Sequence, residues 1–264
     1  MIEDRALLDY MRGLAVSLDP IERFRLAVGE PDEWQKVLLR TDHRLNVGEH
    51  GRPDDRMVLA LCGRQSGKST TCGCLAYDDF AKGKTVILTA PSLRQSTELF
   101  RRILEFKNSD PCCPPIVRQT QTELEAHPSH GGRIIVVPAT DQARGMTADT
   151  ILADEACFLE DDALTAFFPM RRASGRIFLL STPNLRQGHF YDTWTSQKPV
   201  RRITARSIDI PRRAAQVAFD KATMSDTTFR REHLVEFVGG GTPLISWETL
   251  DKTSNPDVNA LELT

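Results

Sequence analysis

The stretch LALCGRQSGKSTTCG, Leu59 to Gly73, decides the fold. An apolar run, RMVLALC from Arg56 to Cys62, stops at a turn that ends in Gly67-Lys68-Ser69-Thr70, and a helical stretch follows to about Lys82. Strand, glycine-bearing turn and helix in that order make a phosphate-binding loop. Successive backbone N–H groups of such a loop point inward and cradle β- and γ-phosphate oxygens. The helix behind it adds the positive end of its dipole. Gly67 lets the backbone approach, Lys68 supplies a mobile cation, and Ser69 offers a hydroxyl ligand for Mg2+. The strict pattern is G-x-x-x-x-G-K-[ST]. Its first glycine position holds Cys62, and Gly63 comes one place late, followed by Arg64, Gln65 and Ser66. A glycine-rich turn with a solvent-facing lysine is the bland alternative.

Outward from the loop, strands and helices alternate. KTVILTA (Lys84–Ala90), GRIIVVPA (Gly132–Ala139), DTILADEA (Asp149–Ala156), GRIFLLSTP (Gly175–Pro183) and VRRITA (Val200–Ala205) are apolar runs with little polar alternation, as strands buried on both faces are. RQSTELFRRILEFKN (Arg94–Asn108) reads as a helix, and NSDPCCPPIVRQ (Asn108–Gln119) as a turn-rich break. The class is α/β, a mainly parallel sheet with helices on both sides. Met1 to Leu39 reads as helical, with Pro31 opening the second helix at its first turn. From about Ser207 the chain is helical and charged; Ser225 or Asp226 caps its last helix and Gly239-Gly240-Gly241 ends it. The expected division is an N-terminal helical segment (1–55), a phosphate-loop core (56–206), and a lid with a linker (207–264).

TILADEA places Asp154 and Glu155 at the end of an apolar run. In a parallel sheet the strand C-termini share one edge, where ligands bind. Asp154 would lie near Ser69 and hold Mg2+ directly or through water, and Glu155 would orient or activate the attacking water. A Glu beside the metal Asp implies hydrolysis, whereas a kinase needs an acceptor site and a switch protein positions water with a Gln. The competing reading is an acidic strand end before a helix, since Glu160-Asp161-Asp162 follows closely.

Of 264 residues 40% are apolar and 27% charged, the make-up of an ordinary soluble globular chain of one large domain, or one with a small appendage. A formal charge of −2 neither demands nor excludes nucleic acid, because binding needs a local basic patch. The N-terminal MIEDRALLDYMRG is charged and unlike a secretory signal, and no run approaches the roughly 18 apolar residues of a membrane span. The six cysteines, Cys62, Cys72, Cys74, Cys112, Cys113 and Cys157, lack the C-x-x-C pairing of zinc sites, and the cytosol would keep them reduced. Cys72 and Cys74 are expected to pack on the helix behind the loop.

Four segments in order carry a resemblance to the N-terminal ATPase domain of tailed-phage terminase large subunits, the motors that package DNA into capsids. PDEWQKVLL (Pro31–Leu39) is similar to the family's adenine-recognising segment. GRQSGKST (Gly63–Thr70) is similar to its deviant Walker A, in which Arg-Gln precedes Gly-Lys and the first glycine is often lost. ARGMTADTILADEA (Ala143–Ala156) is similar to its Arg-Gly and Walker B segment, and LLSTPNLRQGHFYDTW (Leu179–Trp194) to its coupling motif. The set spans Trp34 to Trp194, and any one piece alone would be weak.

The resemblance implies a RecA-like (ASCE P-loop NTPase) sheet with a small helical lid. It implies that Gln35 binds adenine, that Gly63, Arg64, Gln65, Ser66, Gly67, Lys68, Ser69 and Thr70 hold ATP, and that Arg64 reaches the γ-phosphate or senses nucleotide from within the loop. Arg144 would be an arginine finger, serving its own or a neighbouring subunit, and Ser181 and Thr182 would couple the γ-phosphate state to movement. Against these stand plain structural roles: an exposed polar residue for Gln35, a surface salt bridge for Arg144, and strand termination by Pro183 for Ser181 and Thr182. Arg64 and Arg144 both stand as the main catalytic arginine.

The implied activity is Mg2+-dependent ATP hydrolysis driving double-stranded DNA into a procapsid. The implied partners are the portal protein and the small terminase subunit, with a homo-oligomeric ring on the portal or a monomer in isolation, no membrane, and a place in the host cytoplasm and transiently on the procapsid. The pairs Arg101–Arg102, Arg171–Arg172 and Arg201–Arg202 offer phosphate contacts, although solvated faces are the more ordinary reading of each. Full-length members carry a C-terminal nuclease domain; this chain stops at Thr264, and no nuclease activity is expected of it. Two rivals remain. DEAC (Asp154–Cys157) resembles a superfamily-2 helicase box, but only about 80 residues follow Asn184, short of a second RecA-like domain of roughly 100–150. A nucleotide-gated assembly module with little turnover is the other, and Glu155 argues against it.

Overall fold

The computed structural model describes residues 11, 13–14, 18–41, 54–139 and 145–239. Arg144, the first ten residues, and the tail from 240, including Gly240 and Gly241, lie outside them.

Eight strands form one sheet among the described residues: β1 (Asp54–Cys62), β2 (Thr85–Thr89), β3 (Ile116–Gln119), β4 (Glu123–Ala126), β5 (Arg133–Val136), β6 (Ala148–Asp154), β7 (Arg171–Ser181) and β8 (Val200–Ala205), in the order β3-β4-β5-β2-β6-β7-β1-β8. From β5 to β8 every pairing is parallel. The register sets Thr89 beside Ala153, Asp154 beside Leu180, Leu61 beside Ser181, and Cys62 beside Ala205. The ends of β2, β6, β7, β1 and β8 therefore meet at one edge, the edge at which parallel sheets bind ligands.

Alternation along the strands divides the apolar side chains between two cores. Val58, Ala60 and Cys62 of β1 face one side and Leu59 and Leu61 the other, and β2, β6 and β7 split likewise. The first side is covered by α1 (Pro20–Ala27), α2 (Glu33–Leu39), α3 (Lys68–Ala81) and α4 (Leu93–Ser109), which contribute Phe24, Leu38, Tyr77, Phe80, Phe100 and Phe106. The second is covered by α5 (Asp161–Thr165) and α6 (Gly188–Thr195), with Phe167, Met170, Phe190 and the partly buried Trp194. Burial on both faces is why these strands read as unbroken Val/Ile/Leu runs. Each large side chain so buried is worth about 1.5–3 kcal/mol.

Three local expectations change. The segment taken as a turn-rich break holds β3, which turns antiparallel into β4 and then β5. These strands are four residues long and β3 is mostly exposed at the sheet edge, so no apolar run announces it. Pro31 precedes α2 and does not open it; Asp32 is its cap and closes a capping box with Gln35. After α7 (Ala214–Thr223) the last helix, expected to run to the glycines at Gly239, is α8 (Asp226–His233), which stops at His233. Ser225 caps α8 by accepting from Thr228 N at 3.2 Å. Val235 takes a left-handed φ of 56° and packs with Phe237 into the second core, so apolar burial draws the chain out of the helix before the glycines.

Candidate active site

Cys62 belongs to the strand and not to the loop. It is 0% exposed in the core beside Cys72, and burial pushes its thiol up to about 12. Gly63 takes over where the chain leaves the sheet. Its N–H donates to Ala205 O at 2.8 Å, and a Cβ there would collide with Ser207 Oγ and crowd Glu232 O. The late glycine is thus demanded by the chain beyond β8, which closes over the loop. Gln65 and Gly67 both adopt left-handed φ, 55° and 96°. A Cβ on Gly67 would also lie 2.7 Å from Gln35 Nε2. Lys68 opens α3, so the positive end of a 14-residue helix faces the sheet edge.

Here the end of β6 brings two adjacent carboxylates to the loop, and the end of β7 brings the hydroxyls of Ser181 and Thr182. Lys68 Nζ contacts Asp154 Oδ1, and lies 2.9 Å from Glu155 Oε1. Ser69 Oγ donates to Asp154 Oδ2 at 3.1 Å. Glu155, at a left-handed φ of 52°, accepts at Oε2 from Thr182 N (3.1 Å), Thr182 Oγ1 (3.0 Å) and Ser181 Oγ (3.4 Å). Burial opposes charge on Lys68, but the adjacent Asp154 and Glu155 overcome it and leave the ammonium above its usual range. Burial likewise disfavours charge on Glu155, and Lys68 with Thr182 overcomes it, holding the carboxyl below the usual range. The site therefore carries an ionised carboxylate gripped on one oxygen by β7 and on the other by the loop lysine. A carboxylate so held is ionised but a weak base, and it can take a proton from water once Lys68 lets go of it.

The donor set of Asp154 and Ser69 fits Mg2+, which uses one or two protein oxygens and completes its shell with water and phosphates. Among the described residues no group of three His, Cys, Asp or Glu could hold a metal by itself.

Gln35 is buried, with Oε1 accepting from Asp32 N at 2.8 Å and Nε2 donating to Thr71 Oγ1 at 2.9 Å and Gly67 O at 3.4 Å. Arg64 has a pinned backbone and an exposed side chain: its N–H donates to Glu232 O at 2.8 Å, its carbonyl accepts from Ser207 Oγ at 3.2 Å, and Nη1 lies 3.7 Å from Glu232 Oε2. Ser66 is buried and Thr70 half-buried on the first turn of α3. Ser181, besides its weak contact with Glu155, accepts from Cys157 N at 3.0 Å. Beyond Glu155 opens a cavity of about 490 Å³ lined by Cys157, Asp161, Asn184 and His189 among others.

Sequence reasoning missed the hold that the segment after β8 has on the loop. Arg212 Nη2 donates to Ser66 O at 2.7 Å and to Asp32 Oδ2 at 2.7 Å, and Ser207 and Glu232 hold Arg64. Nothing but the pair Arg212-Arg213 after Pro211 hinted at this. The three basic pairs are engaged within the chain. Arg101 and Arg102 meet Glu98 and Glu105, Arg172 meets Asp149, Arg201 meets Asp55, and Arg171 and Arg202 donate to backbone carbonyls.

A protein-family model described as terminase large subunit, T4likevirus-type, N-terminal, matches residues 59–249. No curated protein matches the chain. Among solved structures, the large terminase ATPase domain of Thermus phage P74-26 superposes with a TM-score of 0.61 at 21% identity, covering 84% of this chain and 100% of that one. The large terminase of bacteriophage HK97 gives 0.64 at 15% identity over 84% of this chain and 55% of that one. That of a thermophilic bacteriophage, in complex with ADP, gives 0.59 at 11% identity over 78% and 53%. At these identities the likeness speaks for the fold.

Proposed function

The chain belongs to the terminase large-subunit family, in its N-terminal part, and from that premise we propose that it hydrolyses ATP with Mg2+ to drive double-stranded DNA into a procapsid. The observation that carries the proposal is the meeting of Lys68, Asp154, Glu155 and Thr182 at one sheet edge. Bound Mg2+ would neutralise charge on the β- and γ-phosphates. Asp154 and Ser69 would hold it. Lys68 would exchange its carboxylate partners for phosphate oxygens, and Glu155, relieved of Lys68, would accept the proton of the attacking water while Thr182 keeps it oriented. A change in the grip of Thr182 on Glu155 would pass to β7 and the segment after Pro183, which is the coupling assigned to Ser181 and Thr182.

Gln35 would read adenine, Gly63 to Thr70 would cradle the phosphates, and Arg64 or Arg144 would stabilise the γ-phosphate, the latter from its own or a neighbouring subunit. The working division is 1–55, 56–206 and 207–264. The portal protein, the small terminase subunit and a ring of copies are the partners, and the place of action is the host cell and the procapsid. Family membership favours this reading over the helicase fragment and the assembly module. The test is steady-state ATPase activity of wild type against Glu155→Ala. A loss of about 10²-fold or more in kcat with ATP affinity kept supports the reading; a wild type no faster than the variant sinks it.

A further inference from the structure

The guanidinium of Arg212 sits on a single 3-10 turn, Pro211–Arg213, at the root of the lid. It reaches two places at once. One is the carbonyl of Ser66 in the phosphate loop; the other is the carboxylate of Asp32, met by Nε at 3.1 Å and Nη2 at 2.7 Å. Asp32 caps α2, and its backbone N–H donates to Gln35 Oε1. Gln35 Nε2 returns to the loop at Gly67 O and to Thr71 at the start of α3. The five residues Gln35, Asp32, Arg212, Ser66 and Gly67 thus close a polar ring around the outside of the loop. The crowding at Gly67 shows how tight it is: a Cβ there would meet Gln35 Nε2 at 2.7 Å and Arg212 Nη2 at 3.2 Å.

The parts of the ring differ in how easily they move. Gln35 is buried at 3% exposure, whereas the Arg212 side chain is 51% exposed and that of Asp32 15%. An ion pair open to water on one side adds little to stability and breaks readily. Its geometry, a fork on a carboxylate plus a bond to a carbonyl, instead fixes where things are. Both ends of the Gln35 amide are engaged inside the ring, so a base that takes its N–H groups must draw them from Gly67 and Thr71, and a shift of Gln35 is felt at Asp32 through the same helix start.

We propose that Arg212 is a positioning residue for base recognition: it ties the helix bearing Gln35 to the phosphate loop, and adenine held by Gln35 is thereby felt at the root of the lid. The inference rests on Gln35 reading adenine.

The experiment measures equilibrium Kd for ATP and GTP, and KM and kcat for both, on the 264-residue protein and on Arg212→Met, Gln35→Ala, their double variant, and Arg212→Lys. Wild type is expected to prefer ATP. Arg212→Met should cut the ATP-over-GTP preference about tenfold, through weaker ATP binding with GTP little changed. The double variant should lose no more preference than Gln35→Ala alone, and Arg212→Lys should keep part of it. A general structural defect would instead weaken both nucleotides by one factor. That result, independent losses that multiply in the double variant, or a wild type without base preference would each overturn the inference. Asp32→Asn supplies a second route should Arg212→Met fold poorly, and should erode the same preference. A wild type that binds ATP without hydrolysing it would sink the proposed function and leave this inference readable through the Kd ratios.

Discussion

Thr182 holds Glu155 twice: its backbone N–H and its hydroxyl both donate to Oε2, at 3.1 and 3.0 Å. With Lys68 on the other oxygen, this keeps the carboxylate ionised in a half-buried site. Replacing Thr182 by Val keeps the shape and the N–H but removes one donor. We expect kcat to fall about tenfold with KM little changed. The carboxyl pKa should rise, so the acid limb of kcat/KM against pH, which reports the free enzyme, should move to higher pH. A pH–rate comparison of wild type and Thr182→Val checks both.

Lys68→Met leaves Asp154 and Glu155 side by side without their cation. Breaking such a pair costs about 3–5 kcal/mol when fully buried, and less here because the Glu155 side chain is 24% exposed. The sign follows from the shifts. Glu155 is depressed in the folded state, so its contribution is present above the unfolded value of about 4.3 and fades as pH falls through the folded one. Lys68 is raised, so its contribution is present below about 10.4 and is lost as pH rises through the folded value. The stability gap between wild type and Lys68→Met should therefore hold from neutral pH down to about 4.3 and narrow below it as Glu155 takes up its proton, as denaturant titrations at several pH values will read. ATP binding should be lost throughout.

Cys62→Gly restores the familiar first glycine of a phosphate loop. Cys62 is a fully buried strand residue, so we expect no gain in activity, ATP KM within about twofold, and a stability loss of about 1–3 kcal/mol. In the native protein the Cys62 thiol, pushed up to about 12, should resist alkylation until the chain unfolds.

Gly63→Ala drives a methyl into Ser207 Oγ. A cost of about 1–3 kcal/mol is expected. Adding Ser207→Ala should recover part of it, and a double-mutant cycle in thermal unfolding will show the coupling; strict additivity would mean the two residues do not meet.

Strands were legible because burial on both faces writes itself as long apolar runs, and helices such as α4 because their buried residues recur at helical spacing. β3 was not, because a four-residue edge strand that is mostly exposed has no such pattern. At the site, Lys68, Ser69, Asp154 and Glu155 could be named from local motifs, since parallel strands deliver their ends to one edge. Arg212, Ser207 and Glu232 could not. They act on the loop through backbone carbonyls and N–H groups more than 140 positions away, and a carbonyl leaves no residue type to read. The role of Thr182 towards Glu155 was invisible for a similar reason, half of it being a main-chain N–H.

The register pair Cys62 and Ala205 has a mechanical consequence. Both are almost fully buried, they end adjacent parallel strands, and one continues into the Gly63–Gly67 loop and the other into the helical segment from Ser207. They form a fulcrum with two short arms. The arms touch again at once, where Ser207 meets Arg64, and once more at the far end of α8, where Glu232 O accepts from Arg64 N. A lever clamped at its pivot and at both tips has no slack. A displacement of the loop by a fraction of an ångström is therefore expected to reach the segment bearing α7 and α8 directly, through Ser207 and Glu232.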